Sequence, residues 1–270
     1  MSARVLITGA ANGIGAADVQ ELRSRGAHVV GLDLNGDGSD VIACDVREQA
    51  AIDSAVAQAI ERLGGGLDVL INNAGIGIPQ SAGKAPDDEA VSVFEVNMLG
   101  PWRVTSAALP ALRESRGRVV NVASGLANMA IPMGTAYCMS KRGLVAYSDA
   151  LRLEHGDAIS VTTVYPGFIP TPIHDRSNEG GLPLEGALPA ETVEDAAMAL
   201  VRAALGRRPV RDLATTRKGG VEYALLRLTP RRLMDRVITA QMRRLARKGH
   251  FSEDGVGADL VRRLRRSQAG

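Results

Sequence analysis

Short, almost wholly apolar runs alternate with segments of helical pattern along most of the chain. Six apolar runs predict strands: RVLITGA at 4–10, AHVVGLDL at 27–34, DVIACDV at 40–46, LDVLINNAG at 67–75, GRVVNVAS at 117–124 and ISVTTVYP at 159–166. Five further segments predict helices, at about 16–26, 47–63, 87–112, 135–155 and 192–205. Strands this apolar are covered on both faces, as in parallel sheets. The order therefore predicts an α/β fold, a doubly wound parallel sheet with helices on both faces.

The last quarter of the chain departs from this alternation. RPVRDLATT at 208–216 is a plausible last strand, and some fifty residues follow it. Among them, TPRRLMDRVITAQMRRLARKG predicts a helix over about 230–248, with Thr229 as N-cap, Pro230 at the first helical position and Gly249 as terminator. The apolar residues of this helix fall along one stripe: Leu233, Met234, Val237, Ile238, Met242 and Leu245.

The basic residues of this helix lie mostly away from the stripe, which leaves three interpretations. The helix packs on the body or on a second subunit with a solvated basic face, it lies on an anionic membrane, or it contacts nucleic acid. Packing of the apolar stripe near residues 168–190, the predicted lid described below, is favoured. Basic faces are usually solvated, and no aromatic residues are interleaved to stack on bases. We therefore expect no nucleic-acid partner, and peripheral membrane contact is not favoured.

Composition narrows the class of protein. With 270 residues, 45% of them hydrophobic, and no Ser/Gly/Pro-rich linker, one domain over 1–270 is expected. Residues 202–270 hold 18 Lys or Arg against 6 Asp or Glu, so the C-terminal extension at 219–270 is basic as well as helical. No apolar run approaches the roughly 20 residues that span a bilayer, and the N-terminus does not resemble a signal peptide. A cytoplasmic protein is expected.

The residue types that bind metals are sparse. Only two cysteines occur, Cys44 and Cys138, and the four histidines are scattered without ligand spacing. We therefore expect neither a disulfide framework nor a metal site.

In a doubly wound sheet, ligands bind outside the carboxyl ends of the strands. TGAANGIG follows the first strand and places Gly9, Gly13 and Gly15 at the start of a helix. Glycines there let the backbone approach a pyrophosphate, although such a turn can also serve tight packing alone. Asp33, at the end of the second strand, is placed to accept hydrogen bonds from an adenosine ribose, or it is a solvated loop residue. No Arg or Lys stands beside Asp33 in the sequence to neutralise a 2′-phosphate, which favours NAD over NADP.

Other strand ends carry Asp45, NNAG at 72–75 and Ser124, all of which also suit ordinary turns. YCMSK places Tyr137 four residues before Lys141, on one face of a predicted helix. The Lys141 ammonium could lower the pKa of a phenol that ordinarily titrates near ~10, so that it exchanges protons near neutrality. Taken alone, the pair is more often ordinary helix packing.

Together these segments resemble the classical short-chain dehydrogenase/reductase family. TGAANGIG is similar to its TGxxxGxG loop, NNAG stands unaltered, Ser124 and YCMSK match its serine and YxxxK, and PGFIPT at 166–171 resembles its PG segment. Each motif alone is weak, but their order and spacing over about 4–171 are highly specific. The resemblance implies a Rossmann fold, an oxidoreductase and a nicotinamide cofactor.

The resemblance also implies a catalytic tetrad of Asn97, Ser124, Tyr137 and Lys141. Tyr137 would act as base toward an alcohol or acid toward a carbonyl, while Ser124 would hold the same oxygen. Lys141 would lower the pKa of the phenol and bind the nicotinamide ribose. Asn97 would hold a water that connects the site to solvent; read by itself, it could merely cap or bend its helix.

NAD is the expected cofactor, and Thr171 is expected at its carboxamide. The residues expected to contact NAD are Gly9, Asn12, Gly13, Ile14, Gly15, Asp33, Leu34, Asp45, Val46, Asn73, Ala74, Gly75, Tyr137, Lys141, Pro166, Gly167, Ile169 and Thr171.

Residues 168–190 are expected to form a mobile lid loop, since their prolines and glycines exclude one uninterrupted helix. A plain surface connection is the alternative. Apolar residues in this segment and before the Tyr137 helix predict an apolar pocket: Phe168, Ile169, Ile173, Leu182, Leu184, Met129, Ile131 and Met133. A small lipophilic secondary alcohol or ketone, steroid-like, is the expected substrate.

Two other classes of function stay open. One is a regulatory NAD-binding protein without chemistry, against which the complete tetrad argues. The other is a cofactor-dependent epimerase or dehydratase, whose relatives usually have longer chains and a different glycine spacing. After Thr171 the sequence departs from the usual pattern of the family it resembles, which puts a homotetramer in doubt. A homodimer through the helices that begin near Asp87 and Thr135 is expected.

Overall fold

The computed structural model describes residues 2–38, 40–186 and 189–266. Its strands are β1 (Arg4–Thr8), β2 (His28–Asp33), β3 (Val41–Ala43), β4 (Val69–Asn72), β5 (Arg118–Val122), β6 (Ser160–Tyr165) and β7 (Asp212–Ala214). Its helices are α1 (Gly13–Ser24), α2 (Gln49–Arg62), α3 (Asp88–Phe94), α4 (Gly100–Glu114), α5 (Thr135–His155), α6 (Asp175–Glu179), α7 (Val193–Leu205), α8 (Arg217–Leu228), α9 (Arg231–Arg247) and α10 (Ala258–Arg266). Every predicted strand contains an observed one, and α5 has the predicted bounds.

The described residues form one parallel sheet of seven strands in the order β3-β2-β1-β4-β5-β6-β7. This confirms the predicted doubly wound α/β fold. The strand order reverses between β1 and β4, and a crevice opens at the carboxyl ends of strands on either side of such a point. The topology therefore locates the expected ligand site at the ends of β1, β2, β4 and β5.

The core lies on both faces of the sheet because successive side chains of each strand point to opposite faces. On β1, Val5 and Ile7 pack in a cluster that includes Leu200 of α7. Leu6, between them, packs in a second cluster that includes Val104 of α4. Both sides of each central strand are therefore buried, which explains why these segments lack a polar alternation.

The predicted lid segment contains two short helical pieces. A 3-10 turn at Pro172–His174 leads into α6, and a β-bridge joins Phe168 to Ala190 at the two ends of the segment. Residues 187 and 188 of the predicted lid lie outside the described residues. The segment thus starts and ends at adjacent points of the molecule.

The C-terminal extension forms three helices, of which the sequence predicted α9. Thr229 is not the N-cap of α9: it ends α8, and its hydroxyl donates to the Leu225 carbonyl over 2.7 Å. Pro230 occupies the N-cap position instead of the first helical one. Gly249 does follow the helix with a φ of 71°, the left-handed conformation expected of a terminator. Residues 267–270 of the predicted extension lie outside the described residues.

Candidate active site

The loop between β1 and α1 is shaped to bring its backbone close to a ligand. Gly9 and Gly13 have φ values of 67° and 54°, which side chains rarely adopt. A Cβ on Gly9 would lie 2.8 Å from the Cα of Ala74, and one on Gly15 would lie 1.9 Å from the Gly9 carbonyl oxygen. The first turn of α1 carries no acidic residue. A pyrophosphate fits this cradle, because free N–H groups and the helix dipole both favour an anion.

Thr8 and Asn73 hold this loop against the end of β4. The Thr8 hydroxyl accepts hydrogen bonds from the backbone N–H groups of Asn73 and Ala74, at 3.1 and 3.0 Å. The Asn73 side chain donates to the carbonyls of Thr8 and Gly9, each at 3.1 Å. Asn73 therefore ties the end of β4 to the glycine loop. Sequence reasoning missed Thr8, which only the pairing of β1 with β4 brings to this position.

Asp33 ends β2 with its carboxylate fixed by the backbone. One oxygen accepts from the N–H of Ala11 at 3.0 Å and the other from the N–H of Asn35 at 3.1 Å. Asp33 lines a cavity along the strand ends, and two of the cations in that cavity have acidic partners elsewhere: Arg176 pairs with Glu89 and Lys218 with Glu222. The Asp33 carboxylate is thus held in a fixed orientation where it lines the cavity.

Asp45 follows β3 and is bound by a residue that sequence reasoning missed. Arg47 forms an ion pair with it at 2.6 Å. This side-chain hydrogen bond to Arg47 lowers the pKa of Asp45 below its ordinary value. Asp45 and Val46 both line the same cavity as Asp33 and Leu34.

Tyr137 and Lys141 lie one turn apart on α5 and face the end of β5. Lys141 is only 3% exposed, and its Nζ donates to the Val122 carbonyl over 2.9 Å. The same nitrogen lies 5.8 Å from the centre of the Tyr137 ring. Ser124 follows β5, and its hydroxyl accepts from the N–H of Leu126 at 3.2 Å. The three predicted residues therefore come together at one strand end.

Burial dominates the pKa values of this group. It raises the pKa of the Tyr137 phenol to about 12, although a side-chain hydrogen bond with Ser124 acts in the opposite direction. It lowers the pKa of Lys141 to about 8. The sequence predicted that Lys141 lowers the pKa of the Tyr137 phenol. In the structure the pKa of this phenol is raised instead, because burial outweighs the other effects. Helical spacing gives the direction of a charge effect but says nothing about depth of burial.

Asn97 lies in a π-helical turn, Glu95–Leu99, that joins α3 to α4 within what the sequence predicted as one helix. Its side chain accepts from the N–H of Ile76 at 2.8 Å and donates to the Ile76 carbonyl at 2.9 Å. A Cβ on Gly75 would lie 3.4 Å from both the Asn97 Oδ1 and the Lys141 Nζ. Asn97 therefore holds the segment after β4 directly against the lysine.

A cavity of about 780 Å³ runs along the strand ends from the glycine loop to α5. It is lined by all of the predicted cofactor contacts except Gly15, and by Ser124. Gly15 is buried inside its loop, and Asn97 is 0% exposed behind Ile76, so neither lines the cavity. The other predicted residues form one continuous surface.

A smaller apolar cavity of about 90 Å³ adjoins the large one at Tyr137, Leu126 and Met129. Six predicted pocket residues line it: Met129, Ile131, Met133, Ile173, Leu182 and Leu184. Phe168 and Ile169 line the large cavity instead. The opposite wall consists of Ile238, Met242, Leu245 and Phe251 from the C-terminal extension, with His174 at the junction. The first three belong to the stripe that was expected from the sequence to pack near the lid, whereas Phe251 was not predicted.

Backbone contacts fasten the extension to the predicted lid. The N–H of Ser252 donates to the Gly181 carbonyl over 2.9 Å, and the His250 Nε2 lies 3.1 Å from the Pro183 carbonyl oxygen. Leu182 packs between them in a cluster with Met133, Ala246, Phe251 and Val261. The extension thus closes the apolar cavity.

Glu191 anchors the far end of the same segment. Its carboxylate accepts from the N–H of Gly167 at 2.9 Å and from the Thr216 hydroxyl at 2.7 Å. Gly167 belongs to the predicted PG segment after β6, and Thr216 caps α8. Both ends of the lid are therefore connected to the walls of the large cavity.

Two features of other classes of protein are absent from the described residues. Within 2–38, 40–186 and 189–266, no helix is long and apolar enough to cross a membrane. In the same part of the chain, no group of three or more His, Cys, Asp or Glu side chains is arranged to hold a metal ion.

A doubly wound sheet with a glycine cradle after its first strand and an oriented carboxylate after its second defines a dinucleotide-binding protein. The serine, tyrosine and lysine at the next strand ends narrow the class further. The family model described as short chain dehydrogenase matches residues 3–181, and the chain belongs to this family. The extension that closes the apolar cavity lies outside the matched segment.

Curated relatives share only part of their length with this chain. A 3-amino-tetrahydro-pyrrolizinone reductase of Xenorhabdus hominickii is 34% identical over 64% of this chain and 63% of its own. Retinol dehydrogenase 7 of Rattus norvegicus is 35% identical over 62% of this chain and 57% of its own. The chain therefore covers less than two thirds of either relative.

Solved structures match over more of the chain. A short chain dehydrogenase from Burkholderia cenocepacia, in complex with NADP, is 26% identical with a TM-score of 0.72, over 87% of this chain and 98% of that one. A 3-ketoacyl-(acyl-carrier-protein) reductase from Brucella melitensis, complexed with NADH, is also 26% identical, with a TM-score of 0.67 over 78% and 95%.

Proposed function

We propose that this protein is an NAD-dependent oxidoreductase that interconverts a lipophilic secondary alcohol and its ketone. The main support is the position of Tyr137, which lines both the cavity that begins at the glycine loop and the apolar cavity under α9. A dinucleotide along the strand ends and an apolar substrate under α9 would therefore be adjacent at the phenol.

The residues at this junction suit proton transfer to an oxygen. Tyr137 gives its proton to the carbonyl oxygen in reduction and takes one from the alcohol in oxidation. Burial raises the pKa of this phenol to about 12, which keeps the acid form available at neutral pH. Ser124 holds the same oxygen, and the Lys141 cation binds ribose hydroxyls and favours the developing negative charge. Asn97 fixes the backbone beside Lys141 through its two hydrogen bonds to Ile76. When bound, NADH would supply the hydride in reduction and NAD would accept it in oxidation.

Asp33 supports NAD over NADP. Its two backbone hydrogen bonds direct a carboxylate toward the position of the adenosine ribose. A 2′-phosphate there would face this negative charge, and no Lys or Arg adjoins Asp33 in the sequence, whereas a ribose diol can donate to it.

The apolar cavity supports a lipophilic substrate. Its wall is built almost entirely from Met, Ile, Leu, Pro and Phe side chains, and Tyr137, Ser177, His174 and Gln241 are the polar exceptions. The names of relatives do not decide the substrate, because they include two retinol dehydrogenases and a D-threitol dehydrogenase. We favour a compact apolar ring system that carries one oxygen, such as a steroid-like ketone.

A purely regulatory NAD-binding role has weaker support. Burying the Lys141 ammonium destabilises the fold, as its lowered pKa shows. A protein that only bound NAD could use this cation at the ribose, but it would have no use for a Tyr137 phenol hydrogen-bonded to Ser124.

Tyr137→Phe tests the proposal. With NAD and a panel of lipophilic alcohols, and with NADH and the matching ketones, we expect the variant to lose at least about 100-fold in turnover. Tyr147→Phe is the matched control, because Tyr147 is also on α5 but stacks on Trp102 at 5.5 Å. NADH binding, followed by fluorescence, should be unchanged in both variants. Full turnover in a folded Tyr137→Phe protein would exclude the mechanism.

A further inference from the structure

Exposed apolar side chains are concentrated on α8 and the first turns of α9. Among the described residues, thirteen large apolar side chains are exposed, and five of these fall within 221–237: Val221, Leu225, Leu228, Leu233 and Val237. The first three form a stripe on α8, a helix in which no residue is buried. We call these five residues, with the cations around them, the α8–α9 surface. Clustered apolar exposure of this kind marks an interaction site.

The two faces of α9 have different environments. Ile238, Met242 and Leu245 line the apolar cavity, so this part of the predicted stripe packs on the body. Leu233 and Val237 are 52% and 54% exposed, one turn apart. The packing favoured by the sequence therefore explains one face of the helix and leaves the other without a partner.

The α8–α9 surface is strongly basic. Residues 217–248 contain ten Arg or Lys and two acidic residues. Lys218 and Arg227 have acidic partners within 4.0 Å. The other eight are exposed and form no ion pair with a carboxylate in the part of the chain that the structure describes: Arg217, Arg231, Arg232, Arg236, Arg243, Arg244, Arg247 and Lys248. A concentration of unpaired charge of one sign attracts partners of the other sign.

This charge decides between possible partners. A second copy would face cations with cations across a two-fold axis. Nucleic acid would match the charge, but it would leave the leucines and valines against phosphate. Tyr223 of α8 already packs against Tyr165, with ring centroids 4.3 Å apart, and so does not offer a free ring for a base. An anionic lipid surface supplies phosphates for the arginines and an acyl boundary for the apolar side chains.

We propose that the α8–α9 surface binds an anionic lipid bilayer. The five apolar side chains enter the boundary between headgroups and acyl chains, and the surrounding arginines bind lipid phosphates. Because the inner face of α9 lines the apolar cavity, this orientation places the cavity wall next to the lipid. Lipid binding itself does not depend on the proposed oxidoreductase function.

Co-sedimentation of the full chain with vesicles tests this proposal. We expect the protein to pellet with phosphatidylglycerol/phosphatidylcholine vesicles at about 0.15 M ionic strength, and to stay in solution with phosphatidylcholine alone. An apolar variant replaces Val221, Leu225, Leu228, Leu233 and Val237 by Gln. A charge variant replaces Arg227, Arg231, Arg232 and Arg236 by Gln. Each should weaken binding by at least about tenfold.

Matched controls distinguish an effect of the α8–α9 surface from a general effect of losing exposed apolar or basic side chains. One replaces the exposed apolar residues Met198 and Val210 by Gln, and the other replaces the exposed arginines Arg62, Arg113, Arg207 and Arg208 by Gln. Both should pellet like wild type. No pelleting of wild type with anionic vesicles, or equal pelleting of all variants, would overturn the proposal. Binding to duplex DNA that survives in the apolar variant, without vesicle binding, would identify a nucleic-acid surface instead.

Discussion

Asp18 is a buried carboxyl group that the fold leaves without a hydrogen bond. It lies on α1 and is 0% exposed, and neither of its carboxylate oxygens has a hydrogen-bond partner among the described residues. Burial raises the pKa of Asp18 to about 8, and nearby Glu21 adds to the shift. At neutral pH the folded chain therefore keeps a proton that the unfolded chain releases.

This proton predicts a loss of stability as the pH rises. The folded-state pKa lies above the ordinary 3.8, so the extra proton is bound between about pH 4 and pH 8 and stability falls across that window. At about 1.4 kcal/mol per pKa unit, the effect is on the order of several kcal/mol. We expect Asp18→Asn to flatten this decline in urea unfolding, so that its advantage over wild type appears near pH 8 and vanishes near pH 4. The exposed Asp157→Asn should follow wild type, and equal slopes for wild type and Asp18→Asn would contradict the assignment.

Asp33 gives a prediction about cofactor choice. Asp33→Ala with Leu34→Arg removes a negative charge from the ribose position and adds a cation, so we expect the ratio of kcat/KM for NADP to that for NAD to rise at least about tenfold. Steady-state kinetics with both cofactors measure it. Asp53→Ala, on the exposed face of α2, is the control and should keep the wild-type ratio. A wild-type preference for NADP would contradict the role given to Asp33.

At the scale of single residues, sequence reasoning identified which residues line the site better than it predicted their partners and burial. Strand ends and glycine spacing were enough to identify the residues that line the large cavity, because parallel strands present their ends at one edge. The same reasoning missed Thr8 and Arg47, which act through pairing with Asn73 and Asp45. It also predicted the wrong direction for the pKa shift of Tyr137, because burial is a property of the assembled core.

The helix α9 is the element that most affects the proposed substrate site. Met242 points into the apolar cavity of about 90 Å³, so a larger side chain there should exclude substrate. We expect Met242→Trp to raise the KM for a lipophilic ketone by about tenfold or more while the KM for NADH stays unchanged. Ala240→Trp, at an exposed position of the same helix, should change neither. A rise in both KM values for Met242→Trp would indicate a general loss of structure.

Local patterns explain which elements were predictable. The bounds of α5 and α7 follow from apolar periodicity and caps, and Thr192 does cap α7 through the N–H of Asp195 at 3.0 Å. The π turn around Asn97 was missed because it arises from the hydrogen bonds between Asn97 and Ile76, which are distant in sequence. The helices α8 and α10 were not predicted separately, since neither has a buried stripe of the usual width.

At the scale of the whole molecule, two groups of exposed apolar side chains among the described residues differ in the charge around them. Besides the α8–α9 surface, Trp102 of α4 and Met139 and Leu153 of α5 are 57%, 57% and 87% exposed. Residues 88–114 and 135–155 together carry five basic and six acidic residues. A balanced charge allows the same surface of two copies to pair around a two-fold axis, which the basic α8–α9 surface does not. Sequence patterns alone could not assign the two roles, because they do not show which apolar residues the fold leaves exposed.

The second surface predicts a homodimer through α4 and α5. We expect wild type to run as a dimer in sedimentation velocity, and Trp102→Ser with Leu153→Glu to shift it toward monomer, because the pair loses apolar area and gains like charges that face each other across the axis. Met198→Ser with Val210→Glu makes the same kinds of change at exposed positions outside α4 and α5, and it should remain dimeric. Circular dichroism and thermal unfolding of each variant distinguish dissociation from unfolding. A monomeric wild type, or dissociation of both double variants alike, would show that α4 and α5 are not the interface.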